Sequence, residues 1–309
     1  MERNALMIGS TAADVMIRLD HLPSLEEDIN VTGQSCSLGG CCFNASNMLA
    51  CYGVNYTLFS PVGTGVFGAF VKAELKKRGI VPVLTAEEEN GCCYCMVDAA
   101  GNRTFVAVHG AEYRMKREWF DALDAKKYTD AYVCGLELEE PTGDVIVSFL
   151  QANRHLSVYF APSSRILAIP AERMDAMLDL HPVLHLNRRE ASAFLFARGL
   201  SDQKELDVSE VLSLLQQRTG SLVVLTDGSR GAWAYDGKEI LFEPPVPVKA
   251  VDGTGAGDCH IGTFIARRMC DDSVAQALHH ASVCAAAVVC RSGAILDKEE
   301  FEAALAANL

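Results

Sequence analysis

The feature that most constrains the fold is an alternation of strand-like and helix-like segments that begins near residue 131. Short apolar runs typical of buried strands occupy residues 131–134, 157–160, 183–186 and 222–226. Amphipathic segments such as 142–153 and 208–218 separate them. Because parallel strands need long crossover connections, usually helices, this pattern predicts an α/β domain with a mostly parallel sheet covered on both faces. We predict that residues 1–309 form one such three-layer α/β/α domain.

Two earlier stretches, at about residues 28–38 and 92–109, alternate polar and apolar residues. Such alternation is typical of half-exposed antiparallel strands. The second stretch contains a Gly101-Asn102 pair that favours a hairpin turn. We predict that these strands form a small β-sheet that projects from the domain as a lid. The apolar residues on its exposed face suggest a homodimer that pairs through the lids.

Composition and charge argue against several classes of protein. The formal net charge is −13, so a nucleic-acid polymer is not expected as a partner. The longest strongly apolar stretch, residues 281–290, is too short to cross a bilayer. The start of the chain does not resemble a signal peptide, so we expect a cytoplasmic protein with no membrane contact, whose 12 cysteines are reduced. The one C-x-x-C pair among them, Cys92 and Cys95, has no second pair of the kind that completes a zinc site, and small apolar filler is the better interpretation of these cysteines.

The strongest local signal is a run of small residues before the apolar helix predicted at 259–269. Glycine or alanine occupies Gly253, Gly255, Ala256 and Gly257. The free N–H groups of a helix that begins here would face a bound anion. Asp258 would repel a phosphate, but it suits a base that accepts the proton of a hydroxyl group while the phosphate binds the N–H groups. The alternative is an ordinary helix start with an acidic first turn, which would not need so many small residues.

Two further glycine sites open predicted helices. Gly39 and Gly40 precede Asn44, whose amide can donate to and accept from hydroxyl groups, although a Gly-Gly pair alone is often only a turn. Gly63, Gly65 and Gly68 match the G-x-G-x-x-G pattern of dinucleotide-binding proteins, with acidic residues about twenty positions later. That motif lies deep in the chain and explains none of the later sites, so an NAD-binding oxidoreductase is kept only as an alternative.

These elements together resemble the ribokinase-like carbohydrate kinases, the PfkB family. The resemblance rests on Gly39, Gly40 and Asn44, on the run from Asp252 to Asp258, on an Asn-x-x-Glu element and on a nucleotide-loop element. The last two are Asn187-Arg-Arg-Glu190 and Thr226-Asp-Gly-Ser-Arg-Gly231. The four elements follow the family's order over nearly the whole chain. The implied activity is phosphoryl transfer from ATP to a primary hydroxyl group of a nucleoside or sugar.

The resemblance also implies a role for each matched residue on the acceptor side. Asp258 would be the catalytic base, and the backbone at Gly255, Ala256 and Gly257 would form the anion hole. The acceptor's hydroxyl groups would be bound by four residues, namely Asp14, Gly40, Asn44 and Glu139.

On the nucleotide side, the implied ATP-binding residues are Asn187, Thr226, Gly228 and Gly231. Glu190 would order Mg²⁺, through water, although Asn187 and Glu190 also match a helix-capping box. Asp252 would belong to a monovalent-cation loop, which makes K⁺ a further expected cofactor.

The sequence departs from the family at Ala12, where sugar-binding relatives often carry Asn. This change removes one hydroxyl contact, and the sulfur-rich lid residues suit a flat base, so a nucleoside is slightly favoured over a free sugar. A non-catalytic sugar or nucleotide sensor on the same fold is the remaining alternative. The retention of Asp258 argues against it, since a sensor needs no base.

Overall fold

A computed structural model describes residues 3–308 of the chain. Its central sheet has eight strands in the order β14-β13-β12-β11-β10-β9-β1-β4. These strands are β1 (Ala5–Ile8), β4 (Tyr56–Phe59), β9 (Asp130–Cys134), β10 (Ser157–Ala161), β11 (Val183–Asn187), β12 (Val223–Thr226), β13 (Ala232–Tyr235) and β14 (Ile240–Glu243). All neighbours are parallel except the two pairs that β13 makes. The carboxyl ends of the parallel strands therefore meet at one edge, where ligands of such sheets usually bind.

Two smaller sheets complete the strand set. The first has four strands in the order β3-β2-β7-β8, with only the β2–β7 pair parallel. They are β2 (Ala12–Arg18), β3 (Gly33–Gly39), β7 (Cys92–Val97) and β8 (Arg103–Val108). We call this sheet the lid. The second pairs β5 (Pro61–Thr64) with β6 (Leu84–Glu89).

The helices cover both faces of the central sheet. Their bounds are α1 (Cys41–Cys51), α2 (Gly65–Lys77), α3 (Arg117–Asp121), α4 (Gly135–Glu139), α5 (Gly143–Ala152), α6 (Ala171–Leu178), α7 (Arg188–Ala197), α8 (Val208–Thr219), α9 (Ala256–Met269), α10 (Val274–Val289) and α11 (Lys298–Asn308). Helices α5 to α8 pack their apolar side chains into the core on one face. Helices α1, α2, α9 and α10 form the core on the other face. Among residues 3–308, no helix combines the length and the apolar character needed to cross a membrane.

This architecture confirms the predicted three-layer α/β fold with a mostly parallel sheet and a small projecting sheet. Two details of the lid differ from the prediction. Residues 28–32 form no strand, and the lid strand of that region begins only at Gly33. The lid also contains β2, which the sequence pattern did not reveal. This strand matters for function because it carries Asp14.

Candidate active site

Asn44 and Asp258, which are 214 positions apart, form a hydrogen bond in which Asn44 Nδ2 donates to Asp258 Oδ2 over 2.9 Å. Asn44 lies in the first turn of α1, which begins after Gly40. Gly40 has φ 98°, and a Cβ there would lie 2.6 Å from the carbonyl oxygen of Ser10. Only glycine suits this close approach. The two glycine-containing helix starts singled out in the sequence therefore belong to one site.

The environment of Asp258 suits a group that must accept a proton near neutral pH. Burial raises its pKa to about 6, against the opposing effect of the hydrogen bonds from Asn44 and Cys41. The charge of Glu190 raises this pKa further. A base works best when its pKa lies near the working pH. At pH 7 the carboxyl of Asp258 is mostly ionised, yet it is more basic than an ordinary aspartate.

The start of α9 has no side-chain cap, and beside Asp258 one of its first backbone N–H groups, that of Ala256, donates over 3.4 Å to the carbonyl oxygen of Gly253. The N-cap residue of this helix is Gly255, which has φ 76°. A Cβ on Gly255 would lie 2.4 Å from the carbonyl oxygen of Ala294, so the turn needs glycine. The first N–H groups of a helix have no partner within the helix, and the positive end of the helix dipole adds to their field. This geometry suits the anion hole expected at Gly255, Ala256 and Gly257.

Asp14 approaches the same carboxyl from the lid. It lies on β2, and a Cβ on Gly39 of the neighbouring strand would be only 2.0 Å from Asp14 Oδ2. Burial raises the pKa of Asp14 to about 7, and the charge of Asp258 contributes to this rise. Asp258 thus contacts Asn44 directly and lies close enough to Asp14 for the two charges to interact.

A cavity of about 520 Å³ lies on the other side of the α9 helix start. Its wall includes Thr226, Gly228 and Gly231, together with Ala256 and Gly257. Most of the remaining wall consists of prolines, valines and alanines from residues 245–250 and from α10. The volume and the apolar wall are typical of a small-molecule site. Three of the four expected nucleotide-binding residues therefore line one cavity, whose wall includes part of the expected anion hole, and Asn187 lies outside this wall.

Asn187 and Glu190 form the capping box of α7. Asn187 Oδ1 accepts from the backbone N–H of Glu190 over 2.9 Å, and Glu190 Oε2 accepts from the backbone N–H of Asn187 over 3.0 Å. Asn187 is the register partner of Thr226, so the cap lies beside the cavity at the carboxyl edge of the sheet. The second carboxylate oxygen of Glu190 is the type of hard ligand that Mg²⁺ prefers. Residues 3–308 contain no cluster of three acidic, histidine or cysteine side chains that could hold a metal alone.

Asp252 makes an ion pair that the sequence did not reveal. Arg103 of the lid donates from Nη1 to Asp252 Oδ1 over 2.5 Å, and the Thr254 amide donates to the same oxygen over 2.8 Å. Arg103 Nη2 also donates to the carbonyl oxygen of Val251 over 3.3 Å. The guanidinium group thus supplies a positive charge at the carboxylate where a monovalent cation was expected. No local signal identifies this contact, because Arg103 and Asp252 are separated by 149 positions.

Glu139 pairs with Arg165, and its hydrogen bonds go to that guanidinium group. Glu137, two positions before Glu139, is the glutamate that lies buried beneath the site. A Cβ on Gly9 would approach Glu137 Oε1 to 3.1 Å, and the Glu137 side chain is fully buried. Within the described chain, neither of its oxygens makes a well-formed hydrogen bond. Burial raises the pKa of Glu137 to about 7, although nearby Ser10 opposes the rise.

The G-x-G-x-x-G motif serves a different purpose from dinucleotide binding. Gly63 belongs to β5, and a Cβ on Gly68 would lie 2.4 Å from the Gly63 carbonyl oxygen, so these glycines allow close packing of a strand against α2. A Cβ on Gly65 would lie 3.1 Å from the side chain of Glu89. An acidic side chain therefore lies close to the start of α2, where a pyrophosphate would have to bind. The oxidoreductase alternative is not favoured.

Comparison with known proteins agrees with this geometry. The sequence profile of the pfkB family carbohydrate kinases matches residues 2–300. The chain belongs to this family. It is 26% identical to the uncharacterized sugar kinase YegV of Escherichia coli over 265 residues, which is 85% of this chain and 81% of that protein.

Two other similar proteins illustrate the range of names within this group. The ATP-dependent ribose-1-phosphate kinase of Halopiger xanaduensis is 27% identical over 293 residues, which is 94% of this chain and 93% of that protein. The crystal structure of a ribokinase from Thermotoga maritima superposes with a TM-score of 0.84 at 20% identity and covers 99% of this chain and all of that one. The predicted resemblance is confirmed, and the chain is a kinase of the sugar-kinase group. The names do not agree on one acceptor.

Proposed function

We propose that the protein transfers the γ-phosphoryl group of ATP to a primary hydroxyl group of a sugar or nucleoside, with Asp258 as the base. The contact between Asn44 and Asp258 beside an uncapped helix start carries this proposal. It supports an acceptor site at Asp258 next to an anion-binding site at the start of α9. Phosphoryl transfer requires little covalent chemistry from the protein, so positioning and charge stabilisation are what such a site must supply.

On the acceptor side, Asp14 and Asn44 would hold hydroxyl groups so that the reacting one faces Asp258. Asn44 Nδ2 already donates to Asp258, and the buried Asn44 Oδ1 has no partner within residues 3–308. It can therefore accept from a hydroxyl group of the acceptor. Asp258 then takes the proton as the oxygen attacks, and the N–H groups that follow Gly255 stabilise the charge on the transferred group.

On the nucleotide side, Thr226, Gly228 and Gly231 would border the ATP, with the phosphates directed towards α9. Glu190 and Asn187 fit Mg²⁺ held through water, because Mg²⁺ in such sites is bound mainly by phosphates and water with one or two carboxylates. The ion would neutralise charge on the nucleotide phosphates. Glu190 keeps its capping role in either case, since its other oxygen accepts from Asn187.

We also infer that the Asp252 carboxylate needs a positive partner for the loop to keep its shape. Arg103 fills that role in this structure, and K⁺ is the competing candidate. If Arg103 suffices, replacement of K⁺ by tetramethylammonium at constant ionic strength should change turnover less than twofold. Arg103→Met should then respond to K⁺, both in turnover and in melting temperature. A several-fold K⁺ dependence of the unmodified protein would instead favour the ion.

We further propose that two copies associate through their lids. Strands β3 and β8 are the edges of the lid sheet, and β8 exposes Phe105, Val106 and Val108. Apolar edge strands tend to pair with another chain. Light scattering should give twice the chain mass, and Phe105→Lys should reduce it to a monomer. A monomer at micromolar concentration would contradict this proposal. The cytoplasmic location stays a prediction.

The decisive experiment is a phosphorylation screen with ATP and Mg²⁺ over free pentoses, hexoses and nucleosides. The similar proteins bear sugar-kinase names, so the sugars come first, and the slight preference for a nucleoside is tested in the second arm. Product formation with Asp258→Asn as the inactive control would support the proposal. Ligand binding without turnover in both arms would favour the sensor alternative.

A further inference from the structure

The lid face that carries Asp14 defines what kind of acceptor fits, and this inference rests on the proposed function. Side chains two positions apart on a strand share a face, and register partners lie side by side. Asp14 is paired with Ser37 on β3 and with Cys93 on β7. Cys95, two positions beyond Cys93, lies on the same face. The immediate neighbours of Asp14 are therefore a hydroxyl group and thiols.

The main-domain side of the same space adds no positive charge. Helix α1 contributes Cys41 and Asn44, and α9 contributes Asp258. Burial is the main reason why the pKa values of both Asp14 and Asp258 are high, and among residues 3–308 no basic side chain lowers either pKa. The acceptor space thus holds two carboxyl groups without a counter-charge.

Two arginines lie at the far end of the same lid face. Arg18 and Arg103 both pair with Val97, four positions along β2 from Asp14. At about 3.3 Å per residue this corresponds to roughly 13 Å. Arg103 is held by Asp252 and Val251. Burial raises the pKa of Cys95 and the charges of both arginines oppose this rise, but neither arginine affects the pKa of Asp14.

We propose that the acceptor is an uncharged polyol, and that this face of the lid rejects sugars that carry a phosphate or carboxylate group. An anionic group on the acceptor would lie close to the carboxyl groups of Asp14 and Asp258, on the side of the exposed Ser37. Like charges repel there, and no cation compensates. Family membership does not decide this point, since the similar proteins include both a ribose-1-phosphate kinase and a ribokinase. The arrangement of charges around Asp14 and Asp258 is what favours an uncharged acceptor.

The test compares matched pairs of acceptors with the full-length protein, ATP and Mg²⁺. The pairs are ribose with ribose 1-phosphate, fructose with fructose 6-phosphate, and adenosine with adenosine 3′-phosphate. For each active pair, kcat/KM should be roughly 100-fold or more higher for the uncharged member. A phosphorylated member that is used equally well or better would overturn the inference and leave the kinase function intact.

Calorimetric titration of the same compounds separates this inference from the proposed function. If no compound is phosphorylated, the proposed function fails. The inference then stands if only uncharged members bind and falls if a phosphorylated member binds.

A designed change of charge provides the second arm. Ser37→Lys places a cation beside Asp14, whereas Gln34→Lys places the same charge on the same strand but on the opposite face. Both positions are exposed, so both variants should fold, as a thermal melt will verify. Ser37→Lys should raise the ratio of kcat/KM for the phosphorylated over the uncharged member about tenfold, and Gln34→Lys should leave it unchanged. Equal ratios in the two variants would overturn the role assigned to this face.

Discussion

The two halves of the candidate site use different parts of the chain. The acceptor half consists of side chains, with Asp14, Asn44 and Asp258 drawn from the lid and from two helices. The nucleotide half consists largely of backbone and apolar surface, with glycines at Gly228 and Gly257. A backbone that approaches phosphates binds any nucleoside triphosphate with similar geometry, whereas side chains can be exchanged to fit a new acceptor. The difference explains why the motifs identify a kinase more readily than they identify what it phosphorylates.

The largest effect should come from removal of the proposed base on the acceptor side. Asp258→Asn keeps the size of the side chain and a group that can contact Asn44, but it cannot accept a proton. General-base catalysis contributes about 10²–10⁴-fold, so kcat should fall within that range. The dissociation constant for ATP, measured by calorimetry, should stay the same or improve because a negative charge near the phosphates is lost. A variant with near-normal kcat would contradict the assignment.

On the nucleotide side a single methyl group should be the most damaging change. A Cβ on Gly257 would meet no atom within 4 Å, so Gly257→Ala should leave the melting temperature unchanged or higher. The methyl group would nevertheless project where we propose that a phosphate binds, and we expect kcat/KM for ATP to fall about tenfold or more. Gly253→Ala is the matched control, because its Cβ is equally unobstructed and it lies outside the described cavity wall. Equal losses in both variants would contradict an anion hole at Gly257.

The buried carboxyl under the acceptor half should make stability depend on pH. The folded-state pKa of Glu137 is about 7, above its ordinary value of 4.5, so the folded protein holds this proton more tightly than the unfolded chain. Stability is therefore lost as pH rises from about 4.5 to 7. Glu137→Gln should raise the free energy of unfolding by about 1–3 kcal/mol at pH 8 and change it little at pH 4.

Glu139→Gln is the control for this measurement. Its hydrogen bond with Arg165 lowers the pKa of Glu139, so loss of its charge should not stabilise the protein at pH 8. Denaturant unfolding at both pH values gives the comparison. A Glu137→Gln variant that is less stable at pH 8 would show that the buried carboxylate has a stabilising partner.

The smallest effect should come from Glu190, for which we propose a role in the nucleotide half through a metal ion. Gln can still accept the hydrogen bond of the cap, so Glu190→Gln should fold normally and need several-fold more Mg²⁺ for half-maximal rate. Glu210→Gln alters the same kind of capping box on α8, where Asp207 is the N-cap residue. Its Mg²⁺ requirement should equal that of the unmodified protein. No difference between the two variants would leave Glu190 with the cap alone.

Sequence alone predicted the layered fold and the helix starts that meet at Asn44 and Asp258. Strand–helix alternation and glycine-containing turns can be recognised within short stretches of sequence. Sequence alone missed β2 in the lid and the pairing of Arg103 with Asp252. Residues of β2 have no clean alternation, and the choice of Asp252 as a partner for Arg103 follows only from how the lid packs over the domain. The sequence indicated Glu139 as an acceptor-binding residue. In the structure, Glu137, two positions earlier, is the glutamate that is fully buried beneath the site. Burial of this kind depends on neighbours that are remote in sequence.

The close contact between helices α1 and α9 limits which residues can be changed when this site is re-engineered. A Cβ on Gly262 would lie 2.2 Å from the carbonyl oxygen of Ala45, so even one added methyl group must push the two helices apart. Ala45 follows Asn44 directly, and Gly262 lies one turn beyond Asp258. A misplacement of about 1 Å can cost roughly 10²-fold in rate. Gly262 is not one of the proposed site residues, yet it sets the spacing of the two helices that carry Asn44 and Asp258, so libraries that diversify the acceptor pocket should hold this position fixed.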